Sequence, residues 1–280
     1  MDHFATSHPT AGDKSPCVEA RAAKPKKAAK PVLLPIRPDD AAGQANIRRM
    51  EALNAYLTQP GRVEGILFGG LRRVFNDADR KGFAWQWGGR FYSMPNWTAY
   101  ESLKGKSAAR CKRIRLDGQA VAEVDISAAH LAILHGLLGA PFDPDQDPYG
   151  LPGFDRDKEV KLWTKKALGA CGPFRGEKQL WAVRQAMLGR YPILEGLGSN
   201  GVTALDLQYH ESEIILAALE ELRDRHGVAA LPIHDGLIVP VRSVGLAHGA
   251  IVAAFQRYFR HTIGAAVVPT PRVHNVPLAS

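Results

Sequence analysis

Cysteine is scarce in this chain. The three present, Cys17, Cys111 and Cys171, are an odd number with no metal-ligand spacing. That excludes a disulfide framework or a thiolate metal site and points to a reducing compartment. No stretch reaches ~18 uninterrupted apolar residues, so no helical membrane span is encoded. The first 30 residues hold no apolar segment of the secretory kind. Acids are also in deficit, 28 Asp and Glu against 36 Lys and Arg, for a net charge of +8. Such a surface attracts polyanions, nucleic acid foremost. Part of the excess lies in the N-terminal segment, where the competing reading is a solubilising tail.

What is present suffices for a packed core: 280 residues, 45% of them hydrophobic, in one domain or one domain with subdomains. Residues 1–38, rich in Ala, Lys, Pro and Ser, read as a disordered basic tail. Asp39–Thr58 has helical spacing of Ile47, Met50, Leu53 and Leu57. Gly61–Asn76 reads as a second helix or helix pair. Asp206–His226 is a strongly amphipathic helix, Val244–Phe259 another, and Ala265–Val268 a last strand. Asp143–Gly150 mimics a calcium loop but fails, because Pro148 and Phe154 stand where Gly and Glu are needed.

Two stretches carry a puzzle. Ala120–Leu138 is an apolar strand followed by a helix, with one acid, Asp125, at the junction. Val228–Val241 sets His234, Asp235 and Gly236 inside another apolar run. A buried carboxylate is costly without a partner. Taken singly, Asp125 reads as a helix cap and Asp235-Gly236 as a hairpin turn. Taken together, they suggest a shared divalent-cation site.

Three further segments bear on polyanions. Phe83–Ala99 gathers tryptophans and tyrosine around Gly88-Gly89-Arg90. The aromatics read as a core hairpin, whereas Arg90 calls for a ligand or a chain acid. Lys104–Arg115 is a basic cluster that includes Arg110 and Arg113, suited to phosphate or simply to solvent. On the helix Asp155–Gly169, Lys158, Lys161 and Lys165 follow i, i+3, i+7 spacing, which predicts one shared face. That face suits a triphosphate, and a solvated surface is the plain alternative.

The order of these segments resembles the family A DNA polymerases and their small relatives in phages and mobile elements, over roughly Asn76 to Val241. VDISAAHLAIL is similar to the family's first acid motif, IHDGLIV to its His-Asp motif and GGRFYSMPN to its Gly-Arg segment. The resemblance implies an α+β fold: a right-hand palm with a small antiparallel sheet covered by helices, reduced helical fingers and a minimal thumb. It divides the catalytic region 39–280 into thumb-like helices with the Gly-Arg segment (39–119), palm (120–150), reduced fingers (151–205) and palm again (206–280). The implied metal ligands are Asp125, the Ile126 carbonyl and Asp235. They would hold two magnesium ions, with manganese able to substitute, for in-line attack of a primer hydroxyl on a nucleoside triphosphate. Arg90, His130, Arg156, Lys161 and Lys165 would meet the nucleotide. Arg90, Arg110, Arg113, Gln208, Glu211 and His234 would meet the nucleic acid.

Departures from the family's pattern matter. His130 stands where the family has its sugar-selecting glutamate, and Gly236 replaces a second acid. The resemblance implies a small DNA polymerase, acting as a cytoplasmic monomer of prokaryotic or phage origin on primer-template; the region before Gly88 is too short for an editing domain, so proofreading is not expected, and His130 leaves the choice of sugar open. The alternatives are an RNA-making, primase-like enzyme of the same fold, or a non-catalytic nucleic-acid-binding replication factor.

Overall fold

The computed structural model describes residues 15–24, 30–104, 106–171, 178–265 and 268–275. The first strands among the described residues are β1 (Val18–Arg21) and β2 (Leu33–Leu34). Residues 1–38 are thus not wholly a tail. β1 pairs in parallel with a later strand and buries Val18 and Ala20 in the core. A window dominated by Lys, Ala and Pro hides a strand this short, because its partner, not its own composition, supplies the hydrogen bonds. The basic run after Lys24 lies largely outside the described residues.

Helix α1 (Ala41–Leu57) is capped by Asp40, whose carboxylate accepts from the Gly43 amide. Met50, Leu53 and Leu57 form its buried face. The helix expected over Gly61–Asn76 is instead two strands, β3 (Val63–Glu64) and β4 (Leu71–Phe75). Gly65, Gly69 and Gly70 break any helix there, and Gly65 and Gly70 adopt positive φ. Strand β5 (Gly88–Ser93) completes an antiparallel pair with β4, giving a sheet of order β2-β1-β4-β5. Of the tryptophans around β5, Trp85 follows the core reading: it is buried edge-on against Phe75 and its indole N–H donates to Asp40, whereas Trp87 and Trp97 are half-buried.

The second sheet is antiparallel throughout. Helix α2 (Lys106–Arg113) leads to β6 (Arg115–Leu116), the long β7 (Gln119–Ile126) and helix α3 (Ala129–Leu137). A π-wound turn (Arg156–Lys161) runs into α4 (Leu162–Ala170), and α5 (Trp181–Arg190) follows. The longest helix, α6 (Ala204–His226), begins with a Thr203–Asp206 capping box and buries Ile214, Ile215, Ala218, Leu219 and Leu222, as its periodicity predicted. β8 (Leu231–Ile233) and β9 (Gly236–Pro240) form a hairpin, and α7 (Val244–Arg257) packs over β7 and β9. The last described strand is β10 (Val273–Asn275), not Ala265–Val268, part of which lies outside the described residues. The order is β3-β6-β7-β9-β8, with β10 also paired to β7. Among the described residues the region 39–119 holds two α-helices, a 3-10 turn, four complete strands and the first residue of β7, rather than helices alone. Among the described residues no helix is long and apolar enough to cross a membrane.

Candidate active site

β7 is the strand on which the site is built. Asp125 lies opposite Gly236 of β9 on one edge and opposite His274 of β10 on the other. Asp235 occupies the tight turn between β8 and β9, and its carbonyl accepts from the Ile126 amide at 3.1 Å. The two acids, far apart in the sequence, are thus brought together, one near the end of β7 and the other in the turn bonded to it. The Ile126 carbonyl projects from the same strand edge as the amide that meets Asp235.

Gly236 has a direct physical reason. A Cβ there would sit 2.0 Å from Asp125 Oδ1 and 2.5 Å from the Val124 carbonyl oxygen. The position is a clearance for the Asp125 carboxylate, not a site left vacant by an acid. Two non-glycine residues flank the acids in the left-handed region, Ala128 at φ 52° and His234 at φ 50°. Backbone strain of this kind is concentrated where a site over-determines the chain. Ala128 caps α3 without a side-chain bond, so Asp125 does not serve as the cap.

Burial raises the pKa of Asp125, and the charges of Asp235 and Glu123 raise it further. Burial likewise raises Asp235, with Glu211 adding to it. Carboxylates raised in this way gain from any cation bound beside them. The donors on offer are hard oxygens, two carboxylates with a backbone carbonyl nearby, the set magnesium accepts when substrate phosphates complete its shell. Among the described residues no group of three or more His, Cys, Asp or Glu side chains could hold a metal alone. The two carboxylates and the carbonyl fit a divalent cation whose shell substrate phosphates would complete.

Beside Asp235 opens a cavity of about 410 Å³, walled by α3, α4, α6 and β5. Arg90, His130, Lys165, Gln208 and Glu211 face it. At its floor the buried Glu211 carboxylate accepts two bonds from Arg90, both at 3.0 Å, and lies 2.7 Å from His130 Nε2. Burial alone would raise the Glu211 pKa, but His130 and then Arg90 pull it down to about 2. Arg90 has thus found the chain acid that the sequence suggested. Glu211, expected on nucleic acid, is only 2% exposed and braces two other residues instead. Gly88 and Gly89 have a packing cause as well: a Cβ on Gly89 would lie 2.8 Å from Ser212 Oγ of α6.

The basic segments divide. Arg110, expected on phosphate, is buried with its guanidinium against Glu123 at 2.5 and 2.9 Å. Arg113 is exposed. The predicted shared face of Lys158, Lys161 and Lys165 does not form, because the π-wound turn carries more residues than an α turn and slips the register. Lys158 is 86% exposed beside Asp155, Lys161 lies 5.8 Å from the Tyr149 ring centre, and Lys165 lines the cavity. Arg156 is held by Asp147 at 2.6 Å and also lies over Tyr149. Tyr149 and Thr164, both on the cavity wall, carried no sequence signal: one sat in a loop dismissed as a connector, the other between lysines.

No known family's sequence profile matches the chain, and no curated protein matches it by sequence. Among solved structures, one neighbour is the polymerase domain of Pol1 from M. smegmatis, in complex with DNA primer-template and dNTP. It is 14% identical, at a TM-score of 0.41 over 83% of this chain and 51% of that one. The chain thus spans about half that neighbour's length. A likeness of this size leaves function to the chemistry of the site.

Proposed function

We propose that the chain is a template-directed nucleotidyltransferase, most simply a DNA polymerase, with β7–β10 as its palm. The observation that carries this reading is Asp125 on β7 and Asp235 in the β8–β9 turn bonded to that strand, both raised by burial, with Asp235 on the wall of a cavity that Arg90 and Lys165 also line. Such a pair is costly unless it serves to gather cations and phosphates.

On this reading Asp125 and Asp235, with the Ile126 carbonyl, would hold divalent magnesium. The bound ion would supply neutralisation of the triphosphate and acidification of the attacking hydroxyl. Lys161, Lys165 and Arg156 accept phosphate charge, and Arg156 exchanges its Asp147 partner for substrate. Arg90 and Gln208 bear on the primer side of the cavity, with His234 close by. His130, fixed by Glu211, stands at the sugar of the incoming nucleotide. Tyr149 and Leu168 exclude water from the cavity, which strengthens each charge interaction inside it.

His130 also motivates a second reading, RNA synthesis by the same machinery, because an imidazole leaves room and a hydrogen-bonding group where a sugar must be selected. Primer extension with labelled dNTPs against NTPs in magnesium separates the two. Incorporation of neither, together with tight DNA binding, would sink both and leave a binding protein.

A further inference from the structure

Arg73, on β4, is wholly buried and does not line the cavity. A guanidinium so enclosed is costly unless its donors are bonded, and this one is shared among three elements. Its Nε donates to the Gly89 carbonyl of β5 at 2.8 Å, and its Nη1 to Asn46 Oδ1 of α1 at 2.7 Å. Its Nη2 donates to Ser212 Oγ of α6 at 2.8 Å and lies 2.6 Å from Glu213 of the same helix. The rings of Phe75 and Phe91 pack against it, their centres 4.8 and 5.5 Å from the guanidinium carbon. Glu213 also pairs with Arg49 at 2.9 Å, so it keeps a cation if Arg73 is changed.

Two of these bonds fall one residue from groups that line the cavity. Gly89 precedes Arg90, and Ser212 follows Glu211. Gly89 is passed over in the β4–β5 register, where Val74 stands opposite Arg90 and Phe75 opposite Gly88. An extra residue of this kind bends its strand and re-aims a neighbouring side chain. Gly89 takes φ 77°, and a Cβ on it would lie 3.0 Å from Arg73 Nη2. The guanidinium thus ties the bulge that aims Arg90 to the turn of α6 that presents Glu211. Between those ties Arg90 gives Glu211 its two bonds, and Glu211 meets His130. A planar fork with donors in fixed directions can set the spacing of β5 and α6. An ammonium, with one nitrogen, cannot serve Gly89, Asn46 and Ser212 together.

We propose that Arg73 is the positioning residue of the cavity: by holding the Gly89 bulge against Ser212 it fixes Arg90 on Glu211, and through Glu211 places His130. The consequence for turnover rests on the nucleotidyl-transfer reading, while the placement itself is measured without it. The test is hydrogen exchange by NMR at the Arg90 Nε–H, which donates to Glu211. The internal control is the Nε–H of Arg110, which donates to Glu123 in another part of the fold. Arg73→Lys and Ser212→Ala should each speed exchange at Arg90 about tenfold and leave Arg110 within about twofold of the parent. Each should lower kcat/KM for nucleotide in primer extension about tenfold, but by less than about twofold once Arg90→Ala is present, because the effect travels through Arg90. Circular dichroism checks the fold. Should Arg73→Lys unfold, Ser212→Ala, which leaves Arg73 paired with Glu213, carries the same test.

Equal exchange at Arg90 and Arg110 in folded variants would overturn the proposal and leave Arg73 a buried counter-ion. An undiminished loss of kcat/KM in the Arg90→Ala background would overturn it as well. Faster exchange confined to Arg90, in a chain that extends no primer, would uphold the placement while removing the polymerase reading.

Discussion

At the scale of single residues, the acid pair sets function against stability. A carboxyl whose folded pKa lies above its unfolded value of ~3.9 takes up protons on folding, so stability falls as pH rises through that window. Asp125 and Asp235 both shift this way. Asp125→Asn and Asp235→Asn should therefore each raise the melting temperature at neutral pH without metal, by ~1–3 °C. Each should also reduce nucleotide incorporation by at least ~10³-fold with DNA affinity little changed. A variant that lost DNA binding but kept its chemistry would sink the assignment. Glu211 runs in the opposite direction. Its pKa is lowered from 4.5 to about 2, so its stabilisation is present above 4.5 and is lost as pH falls through about 2. Glu211→Gln leaves Arg90 and His130 without their acid and should cost ~3 kcal/mol in denaturant unfolding. Gly236→Ala drives a methyl into Asp125 and the Val124 carbonyl and should depress incorporation far more than an ordinary Gly→Ala in a strand; activity within twofold of the parent would show that the clearance does not matter.

At the scale of elements, the π-wound turn Arg156–Lys161 decides which lysines can meet a substrate. An uninterrupted α-helix would have made Lys158 and Lys165 equivalent. The observed register separates them, with Lys158 in solvent and Lys165 on the cavity wall. Lys165→Ala should raise the KM for nucleotide by about tenfold, and Lys158→Ala should leave it within about twofold. Equal effects would restore the α-helical register. The α3–α6 contact is equally specific, since it holds His130 against Glu211 at 2.7 Å. His130→Glu should set two carboxylates against each other and change the dNTP/NTP ratio, measured by competitive incorporation. An unchanged ratio would remove His130 from sugar selection.

At the scale of the whole molecule, both sheets and α6 share one hydrophobic core, and the short N-terminal strand belongs to it. Deleting residues 1–24 removes β1, with its buried Val18 and Ala20, and should lower the melting temperature by about 5 °C or more. A shift under 1 °C would mean that β1 is a passive edge. The long helices and the two acid strands were legible from the sequence because their signals are local: Met50, Leu53 and Leu57 repeat at helical spacing, and Asp125 and Asp235 interrupt apolar runs. Gly61–Asn76 was misread because Leu71–Phe75 pairs with strands far along the chain, and no short window contains that pairing. Arg110 and Glu211 looked like surface residues for the same reason, since their partners, Glu123 and the pair Arg90 and His130, come from other elements. The amino-acid order alone thus determined which residue types were costly to bury. Only tertiary packing decided which charges neutralise one another and which are left facing open space, because electrostatic energy depends on distance through space and not on separation along the chain.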